Sequence, residues 1–308
     1  MKFSQSPSAV LMVRPKSFGF NSQTSDTNAF QLNVMHDPEG IRLKAIAEFD
    51  TMVDLLRSND IEVLVIEDTA QPEKPDAIFP NNWISFHHDG TVVLYPMRAE
   101  NRRMERMNPV LGAIERDYSV SRTVDLTSYE TENRFLEGTG SVVFDYVNKV
   151  AYASRSSRTD EHVLKELTEK LGFKSIVFDA VDEQGQPVYH TNVLLCIGTD
   201  FALICLDAIQ QDDDQERLLE SFSNSGHQVI AISFEQLRLF AGNMMEVKSK
   251  SGESFVLLSQ KAFHALLPGQ LDVLSRFVEP IPVNIPTIEL YGGGSVRCMV
   301  AGIFNPER

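Results

Sequence analysis

Apolar positions along the chain fall into short runs and helical stripes that recur in a fixed order. Residues 9–13 form an apolar run stopped by Pro15, which predicts a buried strand. Ile41, Leu43, Ala45, Ile46, Phe49, Met52, Val53 and Leu56 stand at helical spacing and predict an amphipathic helix over 41–56. A second buried strand follows at 61–66. Trp83 opens a hairpin turned at His88-Asp89-Gly90 and returning at 91–95, and residues 98–116 read as a charged helix.

The order strand, hairpin, helix is then repeated. A strand at 120–126 precedes a hairpin of 141–144 with 149–153 and a helix at 159–171 that Thr159 can cap. The third unit takes a strand at 174–178, a hairpin turned at Gly198-Thr199-Asp200 and an acidic helix at 212–224; the fourth takes 228–233, a turn at Ser251-Gly252 and a helix at 260–277. The last begins at Val283, passes Gly292-Gly293-Gly294 and has a single strand, 296–304. Asn82, Glu137, His190, Asn243 and Cys298 each stand at or close to a hairpin entry, with separations of 55, 53, 53 and 55 residues. Such a period marks one supersecondary unit reused. Five units close into a ring only if the orphan strand 9–13 completes the unit that has one strand. The expectation is therefore a single α/β domain over 1–308, a five-bladed propeller whose equivalent points face its axis. Repetition serving only a core would place similar apolar residues at those points, and the chain places polar ones.

Composition narrows the class. With 43% apolar residues, 23% charged residues and a formal net charge of −15, the chain reads as soluble and globular. The acidic balance disfavours nucleic acid and anionic membranes as partners, since both need clustered Lys and Arg. No run reaches the ~18 apolar residues of a membrane span, and the N-terminus lacks the basic and apolar segments of a signal peptide, so a cytoplasmic protein is expected. Of three cysteines, Cys196 and Cys205 sit in apolar runs as structural thiols, and no disulfide framework is indicated.

Cys298 follows the glycine run by four residues, a mount that lets backbone approach closely and can present a nucleophile. A cysteine attacks only as thiolate and needs a nearby histidine or positive field, which His190 supplies if the ring closes. Glu137 and Asp76 offer carboxylates to a cationic substrate, and Arg103 and Arg158 offer guanidinium forks to a substrate carboxylate. His87 and His88 flank a turn without partners at ligand spacing, so no metal is expected.

The segments PDAIFPNNW (75–83), LEGTGS (136–141), HTN (190–192) and GGGSVRC (292–298) resemble the signature segments of the guanidino-group-modifying enzymes, the pentein superfamily, in family order across nearly the whole chain. The nearest likeness is to the arginine-deiminase-related branch described as citrulline-utilisation hydrolases. The resemblance implies a five-bladed α/β propeller and a reaction without metal or cofactor. Cys298 would attack the central carbon of a guanidinium or ureido group, His190 would serve as general acid and then general base, and Glu137 and Asp76 would bind substrate nitrogens. Arg158 is similar to the carboxylate-binding arginine of the dimethylarginine enzymes, and Arg103 matches more loosely. Asn82, Asn192 and Asn243 complete the expected substrate-binding set.

One departure bears on the substrate. Deiminases acting on arginine typically carry His-x-Asp, whereas this chain has Asn192 there, and Asn81-Asn82 stand where relatives often have acidic residues. Amides that donate and accept match a neutral ureido group better than a cationic guanidinium. The expectation is hydrolysis of citrulline to ornithine, carbon dioxide and ammonia. Arginine or dimethylarginine hydrolysis and amidino transfer remain the enzymatic alternatives, and an inactive binding module the non-enzymatic one. A homodimer is the one protein assembly left open.

Overall fold

The computed structural model describes residues 3–28, 30, 31, 37–106 and 108–308. Met107, inside the helix expected at 98–116, and Met1 and Lys2 of the N-terminal reading lie outside the described residues. Strand β1 (Ala9–Arg14) leads to helix α1 (Pro38–Ser58) and to β2 (Glu62–Glu67), which pairs parallel to β1 with Val10 opposite Val63. The next sheet is the hairpin β3 (Ile84–Phe86) and β4 (Thr91–Leu94), helices α2 (Glu100–Arg103) and α3 (Asn108–Asp117), and a parallel β5 (Arg122–Asp125). Helix α4 (Gly138–Ser141) introduces β6 (Val143–Asp145) and β7 (Val150–Ser154), followed by α5 (Glu161–Leu171) and β8 (Lys174–Phe178). The fourth sheet comprises β9 (Leu195–Ile197), β10 (Phe201–Ile204) and, after α6 (Asp212–Asn224), β11 (Gln228–Ala231). Helix α7 (Phe234–Arg238) precedes β12 (Met245–Lys248) and β13 (Ser254–Ser259), and α8 (Gln260–Ala265) and α9 (Pro268–Leu274) lead to β14 (Glu279–Val283).

Helix α10 (Pro286–Gly292) then carries the chain to β15 (Ala301–Ile303), which pairs antiparallel with β1, Leu11 opposite Ala301. The sheet β15-β1-β2 is thus built like the other four, an antiparallel pair flanked by a parallel strand. Its inner member comes from late in the chain and its middle member from early in it. Residues of β3, β6, β9, β12 and β15 all line one central cavity. The fold is the expected five-bladed α/β propeller.

Around that centre the helices cover the sheets by amphipathic packing. Helix α1 starts at Asp37, whose carboxylate accepts from the Gly40 N–H at 2.9 Å, and buries Ile41, Ala45, Phe49, Met52, Val53 and Leu56. These join Val10, Met12, Val63 and Ile288 in one cluster, each large side chain contributing about 1.5–3 kcal/mol by burial.

The departures from expectation have local causes. Residues 260–277 form two helices because Pro268, which has no N–H to donate, starts the second. Helix α5 is capped by Asp160 rather than Thr159, the carboxylate accepting from the N–H groups of His162 and Val163. The helix expected at 98–116 is likewise two, α2 and α3. The expected strand 296–304 begins only at Ala301, since Val296–Met299 winds as a 3₁₀ turn. Pro80–Asn82 and Thr191–Val193 wind in the same way before β3 and β9, and the single turn of α4 stands in the same place before β6. Four of the five units therefore enter the inner strand through one tight helical turn, which brings its backbone and side chains to the axis.

Candidate active site

These entry turns surround a narrow cleft lined by Asp76, Asn82, Arg102, Arg158, His190 and Cys298 together with Phe79, Tyr189 and Gly292–Gly294. Cys298, buried on the turn Val296–Met299, has its N–H bound to the Ser295 carbonyl at 2.9 Å. Gly293 takes a left-handed φ of +62°, and a Cβ on Gly292 or Gly294 would lie 2.8 or 2.9 Å from the Phe79 ring. The glycine run is thus required for the backbone to pass beneath Phe79 and reach the thiol.

Two amides meet the sulfur. Asn243 Nδ2 lies 3.3 Å from Cys298 Sγ and also donates to the Asn192 carbonyl at 3.1 Å, while its Oδ1 accepts from the Arg297 N–H at 3.1 Å. Asn192 Nδ2 lies 3.8 Å from the same sulfur. Both donors suit an anionic sulfur better than a neutral thiol.

His190 and Glu137 form a buried pair, Nε2 to Oε2 at 2.9 Å. Burial pushes the His190 imidazole down to about 4, against the opposing pull of Glu137. Burial also works to raise the Glu137 carboxyl, but Arg158, His190 and Arg102 outweigh it and hold the group well below its usual range. At neutral pH the pair is therefore a carboxylate and a neutral imidazole. Nε2 carries the proton toward Glu137, and Nδ1 is left as an acceptor. Gly140 makes room for this ring, since a Cβ there would lie 2.9 Å from His190 Nδ1 and 2.5 Å from Asn82 Nδ2.

Asn82 is oriented by an arginine one residue away from the expected one. Arg102 Nη1 donates to Asn82 Oδ1 at 2.8 Å, and the same guanidinium donates twice to Glu105, at 2.8 and 2.9 Å. An arginine only donates, so the amide oxygen must face it and Nδ2, which has no protein partner, is left as a free donor at the cleft. Asp76 accepts from Asn21 Nδ2 at 2.7 Å through one oxygen and has no hydrogen-bond partner for the other. Burial raises its carboxyl, with Arg102 acting against this.

The expected residues converge with one exception. Cys298, His190, Asp76, Asn82 and Arg158 line the cleft, Glu137 backs His190, and Asn192 and Asn243 flank the sulfur. Arg103 does not line it: on the short helix α2 it turns outward, donating to the Met97 carbonyl at 3.0 Å with Glu130 at 3.5 Å, and Arg102 faces inward instead. The spacing Arg102-x-x-Glu105 was the available signal, a pair that meets across one turn. Arg158 donates to Thr24 O at 3.0 Å and sits 3.4 Å from Glu137, so much of its fork is already engaged.

The sequence reading also missed the roof. Asn28 Nδ2 donates to Gly293 O at 3.3 Å, Gln31 Nε2 to Tyr291 O at 2.9 Å, and Tyr189 Oη to Gly293 O at 2.9 Å. Residues 21–28 lie in a polar segment without periodicity, which gives no sequence signal of its contacts. Among the described residues no group of three His, Cys, Asp or Glu side chains is placed to hold a metal ion, and no helix is long and apolar enough to cross a membrane.

Comparison with known proteins places this arrangement. Residues 14–305 match the family model described as N,N dimethylarginine dimethylhydrolase, eukaryotic. No curated protein sequence matches. The apo crystal structure of ArgZ, an arginine dihydrolase from the ornithine-ammonia cycle in cyanobacteria, superposes with a TM-score of 0.75 at 14% identity over 97% of this chain and 41% of that one. Unliganded AgrE gives 0.75 at 18% identity over 97% and 40%. A dimethylarginine dimethylaminohydrolase variant, solved as an adduct with S-methyl-L-thiocitrulline, gives 0.63 at 16% identity over 95% and 98%. The chain thus spans about two fifths of ArgZ and AgrE, and at these identities the structural likeness speaks for the fold.

Proposed function

The chain belongs to the eukaryotic N,N dimethylarginine dimethylhydrolase family, within the pentein superfamily, and from that premise we propose that it is a cysteine-dependent hydrolase of C–N bonds in a ureido amino acid, citrulline being the first candidate. The observation that carries the substrate reading is the fixed orientation of Asn82. Its Nδ2 donor is turned to the cleft by Arg102, where it matches a ureido oxygen and opposes a guanidinium N–H. The free Asp76 oxygen accepts from a substrate nitrogen.

In this mechanism neutral His190 takes the Cys298 proton through Nδ1, and the thiolate, met by the Asn243 and Asn192 amides, attacks the ureido carbon. Asn82 Nδ2 donates to the oxygen as it gains charge. One C–N bond breaks, and its nitrogen leaves with the proton from His190. Water then attacks the S-carbamoyl adduct with His190 as base. The S–C bond breaks, the thiol is restored, and the carbamate released falls to carbon dioxide and ammonia. Glu137 stabilises the transient imidazolium. Support for a covalent route comes from similar proteins: the N-terminal domain of an ArgZ variant has been solved covalently bound to a reaction intermediate, and the dimethylarginine enzyme as an adduct.

Arginine is the second reading, favoured by the arginine dihydrolase activity of ArgZ. Turnover of citrulline, arginine, methylarginines and agmatine followed by mass spectrometry separates the two. Ornithine formed from citrulline with a kcat/KM above that for arginine is expected, and the reverse order rejects the ureido assignment. Labelling by chloroacetamidine that is abolished in Cys298→Ser tests the nucleophile, and an unlabelled wild-type enzyme would support a binding module.

A further inference from the structure

The central cavity enclosed by the five inner strands is separate from the substrate cleft and is lined by Asn192, Cys196, Tyr146, Glu246 and Arg297. Asn192 belongs to both surroundings, since it lines this channel and directs Nδ2 at Cys298. Arg297 immediately precedes the nucleophile on the same turn. Its Nη1 donates to the Val300 carbonyl at 2.9 Å, and among the described residues no carboxylate forms an ion pair with it.

That isolation sets Arg297 apart from the arginines of the cleft. The other two arginines near the thiol are neutralised, Arg102 by Glu105 at 2.8 Å and Arg158 by Glu137 at 3.4 Å. Glu246, the one carboxylate lining the channel with Arg297, is taken by Thr199 N and Thr199 Oγ1 at 2.6 and 2.7 Å and by Ser6. Burial pushes the Arg297 guanidinium down, and the groups acting against that are Cys298, then Tyr146 and Cys196. Burial lifts the Cys196 thiol to about 12 and the Tyr146 phenol still further, so neither supplies negative charge at neutral pH. Arg297 is half-buried against the channel, and a cation held there without a carboxylate beside it leaves its field free to act on an anion that forms nearby.

We propose that Arg297 is the counter-charge of the Cys298 thiolate, acting from the central channel behind the nucleophile while the substrate occupies the opposite side. The inference rests on Cys298 being the nucleophile. On the substrate side Cys298 shares the cleft with His190, Tyr189, Asp76, Arg102 and Arg158, with Glu137 behind His190, and the two guanidiniums are already paired. Arg297 adds a positive field without placing a cation where the substrate's own groups must bind. Its role is that of a positioning residue, since its side chain lies outside the cleft.

The test compares Arg297→Met and Arg297→Lys with the wild type, using iodoacetamide alkylation of Cys298 located by mass spectrometry, from pH 6 to 10. Loss of the charge is expected to slow alkylation at pH 7 by about tenfold, equivalent to one pH unit in the profile, with Lys restoring most of the rate. At pH 10 all three proteins should react alike, which a disturbed fold would not allow. A Met variant that alkylates at the wild-type rate at pH 7, or one slowed equally at every pH, overturns the proposal. A wild-type protein that is never alkylated at Cys298 removes the nucleophile and the inference with it.

Discussion

Replacing Gly140 by alanine adds one methyl group against both His190 and Asn82. The added Cβ would lie 2.9 Å from His190 Nδ1, 0.5 Å short of the 3.4 Å at which ordinary contact begins, and 2.5 Å from Asn82 Nδ2, 0.9 Å short of it. Neither neighbour can yield freely. His190 is held by Glu137 at 2.9 Å and Asn82 by Arg102 at 2.8 Å, all of them buried. Gly140 does not adopt a left-handed φ, so alanine introduces no backbone strain of that kind. Overpacking of this size costs about 1–3 kcal/mol of stability. A displacement of 0.5–0.9 Å of His190 and Asn82, in the roles proposed for them, is expected to lower kcat by roughly a hundredfold. Steady-state kinetics beside a urea melt separate the two effects. A folded Gly140→Ala enzyme with wild-type kcat would refute the placement of His190 Nδ1 and Asn82 Nδ2 as the groups that meet the substrate.

Gly112→Ala is the matching control: nothing lies within 4 Å of a Cβ there in helix α3, so a gain of about 0.5–1 kcal/mol in urea stability and unchanged kcat are expected, and a loss of stability would contradict the open environment. Arg102→Ala leaves Glu105 buried without its partner and should cost about 3–5 kcal/mol, whereas Arg103→Ala, partly exposed and 3.5 Å from Glu130, should cost under about 1 kcal/mol; equal urea midpoints would remove the distinction. Stability should fall with pH as the buried His190 and His87 imidazoles, pushed to about 4 and about 3 from 6.5, are forced to take protons. The unfolded chain binds those protons first, so the loss begins near pH 6.5 and continues down through about 4 for His190 and about 3 for His87, with His190 alone contributing roughly 2 kcal/mol by about pH 5. A urea midpoint constant between pH 7 and pH 5 would show that these rings are not neutral in the folded state.

Much of this architecture was legible because the repeat imposes the same physical problem five times. Each unit needs an apolar hairpin toward its neighbours and a helix outside, and residues 212–224 show their helix to the residue. The register of Glu137, His190 and Cys298 was legible for the same reason, since polar groups recurring at a buried axis have no packing role. Legibility failed where one residue's direction decides the outcome. Arg102 and Arg103 differ as sequence only in the Glu105 that stands one turn after Arg102, and the turn of α2 makes one a buried lock on Asn82 and the other a surface contact. The roof was equally hidden, because Asn21, Asn28 and Gln31 act through side-chain hydrogen bonds to partners distant in the chain. Local propensity carries no record of such pairings.

The pairing of β1 with β15 sets an order in time. Leu11 and Ala301 are partners separated by nearly the whole described chain, so closing this last sheet requires the largest loop among the five, a step that topology makes slow. Cys298 stands three residues before that strand. During synthesis, four sheets with His190, Glu137 and Asn82 can form before the sulfur has emerged from the ribosome, and the same tightening that seats β15 on β1 brings it to the cleft that His190 lines. The cleft around Cys298 is thus completed only once the ring has closed, so the last strand to pair is also the one that finishes the site.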